Sequence, residues 1–282
     1  MTGDGESGFG PLVEAQWLAA NADSVVIADV RWYLDGRSGR DAYSSGHITG
    51  ARFVDLDSDL SAPPDTSGGR HPLPSPQDFA KAMSRLGIGD DCRVVAYDDS
   101  GGITAARLWW MLDCLGVAAA VLDGGLDSWR AAHPGSLQND SPQWQPRKFT
   151  PRQWPQERFA GIAEVDSASR DDSFVVIDAR AHERYRGEPN AVDPRFGHIP
   201  GAVSMPATAN LRGSKLLPAD ELRHRYNEVG AADRRVIAYC GSGVSACHDL
   251  LALRHAGLAD GRLFVGSWSA WGADPDRPVA TA

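Results

Sequence analysis

The sequence predicts an α/β protein of two tandem domains, each an open, mostly parallel sheet flanked by helices. The chain repeats itself. Val25-Val26-Ile27-Ala28-Asp29-Val30-Arg31 is answered by Val175-Val176-Ile177-Asp178-Ala179-Arg180, and Gly46-His47-Ile48-Thr49-Gly50-Ala51 by Gly197-His198-Ile199-Pro200-Gly201-Ala202. Val94-Val95-Ala96-Tyr97-Asp98 is answered by Val236-Ile237-Ala238-Tyr239-Cys240, and Trp129 and Trp271 close the two copies. Matches in the same order mark a duplicated domain. Within each copy, short continuous apolar runs at 25–30, 93–97, 174–178 and 235–239 suit strands buried on both faces of a parallel sheet. Helical patterns, such as Asp78 to Leu86 and Asp220 to Val229, lie between them.

The chain has 282 residues, a comfortable length for two domains. The expected division is a first domain over 8–140, a linker over 141–158 and a second domain over 159–282. Pro142, Pro146, Pro151 and Pro155 exclude a regular element from the linker, and Trp144 and Trp154 predict that it lies against the protein. Apolar residues make up 42% and charged residues 23%, the profile of a soluble globular chain. A net charge of −9 argues against a nucleic-acid partner, whose phosphates need a basic surface. No apolar run approaches a bilayer span, and Met1 to Gly10 carries no secretory pattern, so no membrane partner is expected. Cys92, Cys114, Cys240 and Cys247 form no C-x-x-C pair and no zinc spacing, so neither metal nor cofactor is called for. Such thiols suit a reducing, cytoplasmic setting.

The two copies differ in length between their matching segments. His47 to Tyr97 spans 50 positions and His198 to Tyr239 spans 41. The extra residues fall in a polar, proline-rich stretch from Asp55 through Pro74, and a long loop on a compact domain is often functional.

The segment with most chemistry is Tyr239-Cys240-Gly241-Ser242-Gly243-Val244-Ser245-Ala246. A cysteine at the carboxyl tip of a buried strand sits where open α/β sheets bind ligands. The glycines let several N–H groups converge on one cavity, and a following helix N-terminus adds partial positive charge. Both favour a thiolate, the nucleophilic form, and would equally favour a persulfide anion. The matching position in the first copy is Asp98, which cannot carry sulfur. One working site and one scaffold site follow. Cys92, Cys114 and Cys247 are read as core packing, and His47 and His198 as structural hydrogen-bonders.

The Cys240–Ala246 loop, the two Gly-His-Ile segments and the closing tryptophans resemble the two-domain rhodaneses, over about Val13 to Trp271. The resemblance implies two rhodanese-like domains, the second catalytic and the first with aspartate in place of the cysteine. Thiosulfate-preferring members typically carry a basic pair after the cysteine, whereas members acting on 3-mercaptopyruvate carry glycine and then serine or threonine. Gly241 and Ser242 therefore look like the mercaptopyruvate kind. The expected partners are a small-molecule sulfur donor and a thiol acceptor such as thioredoxin, or cyanide. By the same resemblance Arg184 binds the substrate carboxylate and Arg195 stands for the family's second arginine. Gly241, Gly243, Val244 and Ser245 supply the loop around the substrate. Asp57 and His71, with Ser242, match a proposed proton relay that would protonate the enolate left when sulfur departs.

Three other functions compete with this expectation. Phosphatase chemistry on a similar loop needs an arginine at the sixth position after the cysteine, and that position is Ala246. Thiosulfate:cyanide transfer shares the persulfide and differs in donor. A non-catalytic rhodanese-like binding module would dispense with the cysteine, and this chain keeps Cys240.

Overall fold

In spatial order, Leu12–Val13, Ala119–Leu122, Val94–Tyr97, Val26–Asp29 and Arg52–Phe53 form one sheet, and every pairing in it is parallel. A second parallel sheet runs Arg262–Leu263, Arg235–Tyr239, Phe174–Asp178 and Val203–Ser204. Phe159 bridges to Leu263 in parallel on its outer edge, in the place that Leu12–Val13 takes in the first sheet. These coordinates are a computed structural model that describes residues 9–65, 68–140 and 142–282. Residue 8, where the first domain is expected to begin, and residue 141, the expected start of the linker, lie outside the described residues.

The central strands Val26–Asp29 and Val94–Tyr97 are buried along their whole length, which is why they read as unbroken apolar runs. The helix expected over Asp78 to Leu86 spans Pro76–Arg85. Ser75 caps it by accepting from the Asp78 N–H at 3.0 Å, and Pro76 stands at its first turn, where no N–H is needed. The helix expected over Asp220 to Val229 spans Ala219–Glu228. The linker is no free tether. Trp154 is buried and donates its indole N–H to the Pro74 carbonyl at 2.8 Å, and the Arg52 guanidinium stacks 3.9 Å above Trp144.

The two domains meet through the helices that follow the strand-tip loops, Ala105–Cys114 and Ala246–His255. Most of both is buried, and residues of both domains belong to one apolar core, with Leu108 and Leu112 on one side and Leu250 and Leu253 on the other. A helix apolar on most of its circumference has to be covered on all sides. The third residue of each helix crosses to the opposite domain. Arg107 Nη1 donates to the Gly243 carbonyl at 2.9 Å, and His248 Nε2 lies 3.2 Å from the Gly101 carbonyl. The interface is thus pseudo-symmetric, each helix reaching the loop of the other copy.

The duplicated segments also carry one polar network each. In the first domain Arg31 chelates Asp29 and donates to the Gly46 carbonyl at 2.8 Å. Tyr97 donates to Asp29 Oδ2 at 2.6 Å and accepts from the Ile48 N–H at 3.1 Å. Asp178, Arg180, Gly197, Tyr239 and Ile199 repeat the arrangement. His47 and His198 sit as structural residues, each with Nδ1 near a tyrosine carbonyl, Tyr43 at 2.9 Å and Tyr185 at 2.8 Å, and each stacked on that ring. The network ties the Gly-His-Ile turn to the residue just before the strand tip, and so fixes where Asp98 and Cys240 point. Tyr97→Phe leaves the buried Ile48 N–H without its acceptor. The expected loss is about 1–3 kcal/mol, read as a lower urea midpoint, with no change in the chemistry of the other domain.

Candidate functional site

Cys240 follows the strand Arg235–Tyr239 and is only 2% exposed. The Gly243 N–H donates to its Sγ at 3.1 Å. Gly243 has φ +76°, and a Cβ there would stand 2.7 Å from the Val265 carbonyl oxygen, so the turn that delivers this N–H requires glycine. Three consecutive residues clamp the peptide groups around the cysteine. Ser267 Oγ accepts from the Cys240 N–H at 3.1 Å, the Trp268 N–H donates to the Cys240 carbonyl at 2.9 Å, and the Ser269 N–H donates to the Gly241 carbonyl at 2.9 Å. Ser267 itself has φ +51°, an uncommon conformation for a non-glycine residue, and its hydroxyl is tied to the Phe264 carbonyl at 2.8 Å. The sulfur is held on a rigid turn.

The four cysteines are free thiols. Burial pushes the Cys247 thiol up to about 12, and its Sγ donates to the Gly243 carbonyl at 3.3 Å, as a packed thiol would. Burial likewise raises Cys114 to about 12. Cys92 is buried and accepts from the Gly89 N–H at 3.2 Å.

Cys240 opens onto a cleft of about 210 Å³ between the domains, lined by Gly241, Ser242, Val244, Ser245 and Arg184 of the second domain. Trp32, Leu34, Arg70, Ser100, Ile103 and Thr104 of the first domain close it. A larger, open hollow of about 560 Å³ adjoins it and shares Trp32, Leu34 and Arg70. The smaller cleft is the one that holds Cys240. Arg184 lies in the short helix His182–Arg186, and its Nε donates to Asp193 Oδ2 at 2.8 Å while Nη2 donates to Asp193 Oδ1. Arg180 shares the same carboxylate at 3.3 Å. Burial works against the Asp193 charge, but the Arg184 hydrogen bonds and the two positive charges hold this carboxyl below its usual range.

The long first-domain loop brings His71 to the cysteine loop. Its Nδ1 lies 2.7 Å from Ser242 Oγ, and its Nε2 lies 3.1 Å from Asp57 Oδ1. Because a carboxylate only accepts, Nε2 carries the proton and Nδ1 accepts from the Ser242 hydroxyl. Burial pushes the His71 imidazole down to about 4, with Asp57 opposing that shift and Arg70 and Arg107 adding to it. Asp57 is itself oriented by the Trp32 indole N–H at 3.0 Å. The structure therefore brings Cys240, Ser242 and Arg184 to one cleft, with His71 buried behind Ser242 and Asp57 in the adjoining hollow.

Arg195 is not brought there. Its guanidinium donates to the carbonyls of Asp274, Pro275 and Arg277, and its own carbonyl accepts from Trp268 Nε1 at 2.8 Å. The expectation that Arg195 contacts substrate thus gives way to a role in fastening the C-terminal segment. The second guanidinium in the cleft is that of Arg70, a first-domain residue that sequence reading did not place there. Its one signal is adjacency to His71 on a long loop. Arg107 was also missed because its partners are distant in sequence, and Asp193 because it lies in a polar stretch where many pairings are open.

The first-domain counterpart of this loop shows what such a turn binds. The buried Asp98 carboxylate accepts from the N–H groups of Ser100, Gly102, Thr104 and Ala105 at 2.8 to 2.9 Å, and from the Thr104 hydroxyl at 2.9 Å. The strand-tip turn is an anion cradle, and here the chain supplies the anion itself.

Comparison with known proteins agrees with the geometry. The rhodanese-like domain family matches residues 14–132 and 162–274. A Pseudomonas aeruginosa protein provisionally named 3-mercaptopyruvate sulfurtransferase is 42% identical over 279 residues, covering 96% of this chain and 98% of that protein. A Mycobacterium tuberculosis protein provisionally named thiosulfate sulfurtransferase is 40% identical over 266 residues, 91% of each. The crystal structure of SseA from Escherichia coli, described as a rhodanese fold, superposes with a TM-score of 0.80 at 33% identity, covering 92% of this chain and 99% of that one. With both copies matched and the relatives aligned along almost their full length, this chain belongs to the rhodanese-like family, as a two-domain sulfurtransferase.

Proposed function

We propose that the protein transfers sulfur from 3-mercaptopyruvate, through a persulfide on Cys240, to a thiol acceptor such as thioredoxin or to cyanide. Cys240 as thiolate attacks the donor sulfur. The carbon–sulfur electron pair stays on the departing carbon, leaving pyruvate enolate, and one proton at that carbon completes pyruvate. The persulfide then yields its outer sulfur to the acceptor and Cys240 returns as thiolate. The two half-reactions make the kinetics ping-pong.

The observation that carries the donor choice is the chain Ser242–His71–Asp57 beside the nucleophile. Enolate needs a proton, whereas sulfite leaving from thiosulfate needs none. Ser242, donating to His71 in the resting state, is placed to pass the donor thiol's proton to the free Nδ1 of His71 as the sulfur is attacked, and to return that proton to the enolate carbon. Gly241 and Ser242 are neutral, which removes the adjacent basic pair that a dianionic donor would favour. Relatives bear names of both kinds, mercaptopyruvate in Pseudomonas aeruginosa and thiosulfate in Mycobacterium tuberculosis.

Asp98 supports the persulfide. Its carboxylate oxygens lie one atom beyond Cγ, as the outer sulfur of a persulfide lies one atom beyond Sγ. The oxygens are met by converging N–H groups of a turn that recurs around Cys240. An outer persulfide sulfur would enter the equivalent cradle as an anion. Four free thiols and no described helix long and apolar enough to cross a membrane suit a reducing, cytoplasmic setting.

Intact mass spectrometry after mercaptopyruvate alone should show one added sulfur atom on the wild type and none on Cys240→Ser, which should also lack turnover. A Cys240→Ser protein that still produced pyruvate would sink the mechanism. Steady-state kinetics with both donors should give the larger kcat/KM for mercaptopyruvate.

His71→Ala should slow mercaptopyruvate turnover by about 10²-fold or more, the scale of acid–base catalysis, and thiosulfate turnover far less. The pH dependence has a definite sign. Because burial holds the His71 pKa down to about 4, the imidazole stays neutral as pH falls through the range where free histidine titrates. The ratio of wild-type to His71→Ala rates should therefore stay level from neutrality down to about pH 5, and fall only as the pH approaches 4. A ratio that halves near the ordinary histidine value would place His71 in a solvated, protonatable role.

Arg184→Ala removes a cleft guanidinium and leaves Asp193 buried with a lost partner. A charge-assisted contact is worth about 1.5–3 kcal/mol, so kcat/KM for mercaptopyruvate should drop about ten- to a hundredfold. An unchanged kcat/KM would show that Arg184 serves Asp193 alone.

A further inference from the structure

Arg184 and Arg70 both approach the nucleophile loop at Gly241. A Cβ on Gly241 would lie 3.0 Å from Arg184 Nη2 and 3.1 Å from Arg70 Nη2. Their electrostatic situations differ. Arg184 spends Nε and Nη2 on Asp193, a buried carboxylate that Arg180 also contacts, so its charge is largely matched within the protein. Arg70 forms no ion pair and no side-chain hydrogen bond with any described residue, and its buried Nε–H has no partner. An unpaired, partly desolvated cation is costly and calls for an anion. Burial first, and the Arg184 charge next, lower the Arg70 pKa, which is what a cation waiting for a counter-charge shows.

The backbone that carries Arg70 is fixed from the other domain. The Arg70 N–H donates to Ser269 Oγ at 3.0 Å, and Ser269 Oγ in turn donates to the Gly266 carbonyl at 3.0 Å. Gly69 has φ +79°, and a Cβ on it would stand 2.4 Å from Ser269 Oγ and 2.5 Å from the Gly266 carbonyl oxygen. The chain therefore passes flush against the segment that also clamps Cys240 and Gly241. Arg70 is delivered to a set place relative to the sulfur, one residue before the histidine that meets Ser242.

We propose that Arg70 is the principal carboxylate-binding residue for the donor, gripping the carboxylate of mercaptopyruvate from the first domain while Arg184, held by Asp193, supplies the second side of the grip. The site rests on the mercaptopyruvate reading above. Arg70 lines the cleft with Nη2 near Gly241, and a planar guanidinium can give two parallel hydrogen bonds to a carboxylate. It follows that the domain with Asp98 in place of the strand-tip cysteine contributes both the charge that binds the donor and the relay that protonates its product.

Pyruvate, the product that keeps the carboxylate and has lost the sulfur, is the probe. Its affinity is measured by calorimetry on the full chain carrying Cys240→Ser, alone and combined with Arg70→Met or Arg70→Lys. The KM and kcat for mercaptopyruvate are measured on the same Arg70 variants with Cys240 intact. Arg70→Met is expected to weaken pyruvate about ten- to a hundredfold and to raise KM by a similar factor, with kcat within about threefold. Arg70→Lys should recover part of the affinity, because it keeps the charge and loses the fork. Pyruvate affinity and KM within about twofold of the parent in both variants would overturn the assignment of Arg70 alone. So would a fall in kcat equal for both donors with pyruvate affinity intact, the mark of a loop that only supports the interface. A parent protein that neither binds pyruvate nor accepts sulfur from mercaptopyruvate would overturn the donor assignment and Arg70's role with it.

Discussion

The guanidinium of Arg107 sits where the two long buried helices pack together, and the cleft is organised around it. It is wholly buried, and burial lowers its pKa from the usual value, yet it has no carboxylate partner among its hydrogen bonds. Its N–H groups go instead to the carbonyls of Gly243 and His71, at 2.9 and 3.1 Å, with a longer contact to Leu60. One cation thereby holds the cysteine loop of the second domain and the His71 loop of the first. With those two carbonyls fixed, the bond from Ser242 to His71 across the interface follows, and so does the position of Arg70 beside it. His248 is the pseudo-symmetric answer. Burial pushes its imidazole down to about 4, so it stays neutral and can donate to the Gly101 carbonyl near the Asp98 loop.

Duplication explains why the protein has two such loops, and charge explains why they differ. Each loop presents N–H groups toward a strand tip, and such a concavity is unstable without an anion. Asp98 fills its own loop permanently, tying residues 100–105 to the strand tip. Cys240 leaves the second loop able to accept charge as thiolate and, once loaded, as persulfide. The same main-chain turn thus serves as ballast in one domain and as a reaction site in the other.

The parts of this protein legible in its sequence are those fixed by local pattern. Strands such as Val94–Tyr97 and Phe174–Asp178 are buried on both faces and therefore show as apolar runs. The Cys240 turn shows because Gly243 must adopt a positive φ, and the loop that carries Asp57 and His71 shows because it has no counterpart in the second copy, the two residues themselves coming from the family resemblance. What stayed hidden is where each charged side chain finds its partner. Nothing near Arg195 announces that its donors are taken by the carbonyls of Asp274, Pro275 and Arg277. Nothing near Arg184 announces Asp193, since both lie in a polar stretch where many pairings are open. The Gly241-Ser242 pair is neutral, and the cations come from outside the loop: Arg184, as the sequence leads one to expect, and Arg70, which it does not announce.

The linker has a bearing on who can collect the sulfur. With Trp154 buried on the first domain and Trp144 stacked under Arg52, the connection between the halves is a strap laid flat and gives no slack for them to part. Cys240 is 2% exposed at the bottom of a cleft whose walls are tied together by Arg107. A sulfur acceptor must therefore come down to the cysteine, since the cysteine cannot swing out. Slender nucleophiles pass such a throat, and a macromolecule passes only by extending a narrow tip that carries its thiol foremost. Depth acts here as a sieve on acceptors that is independent of their reactivity.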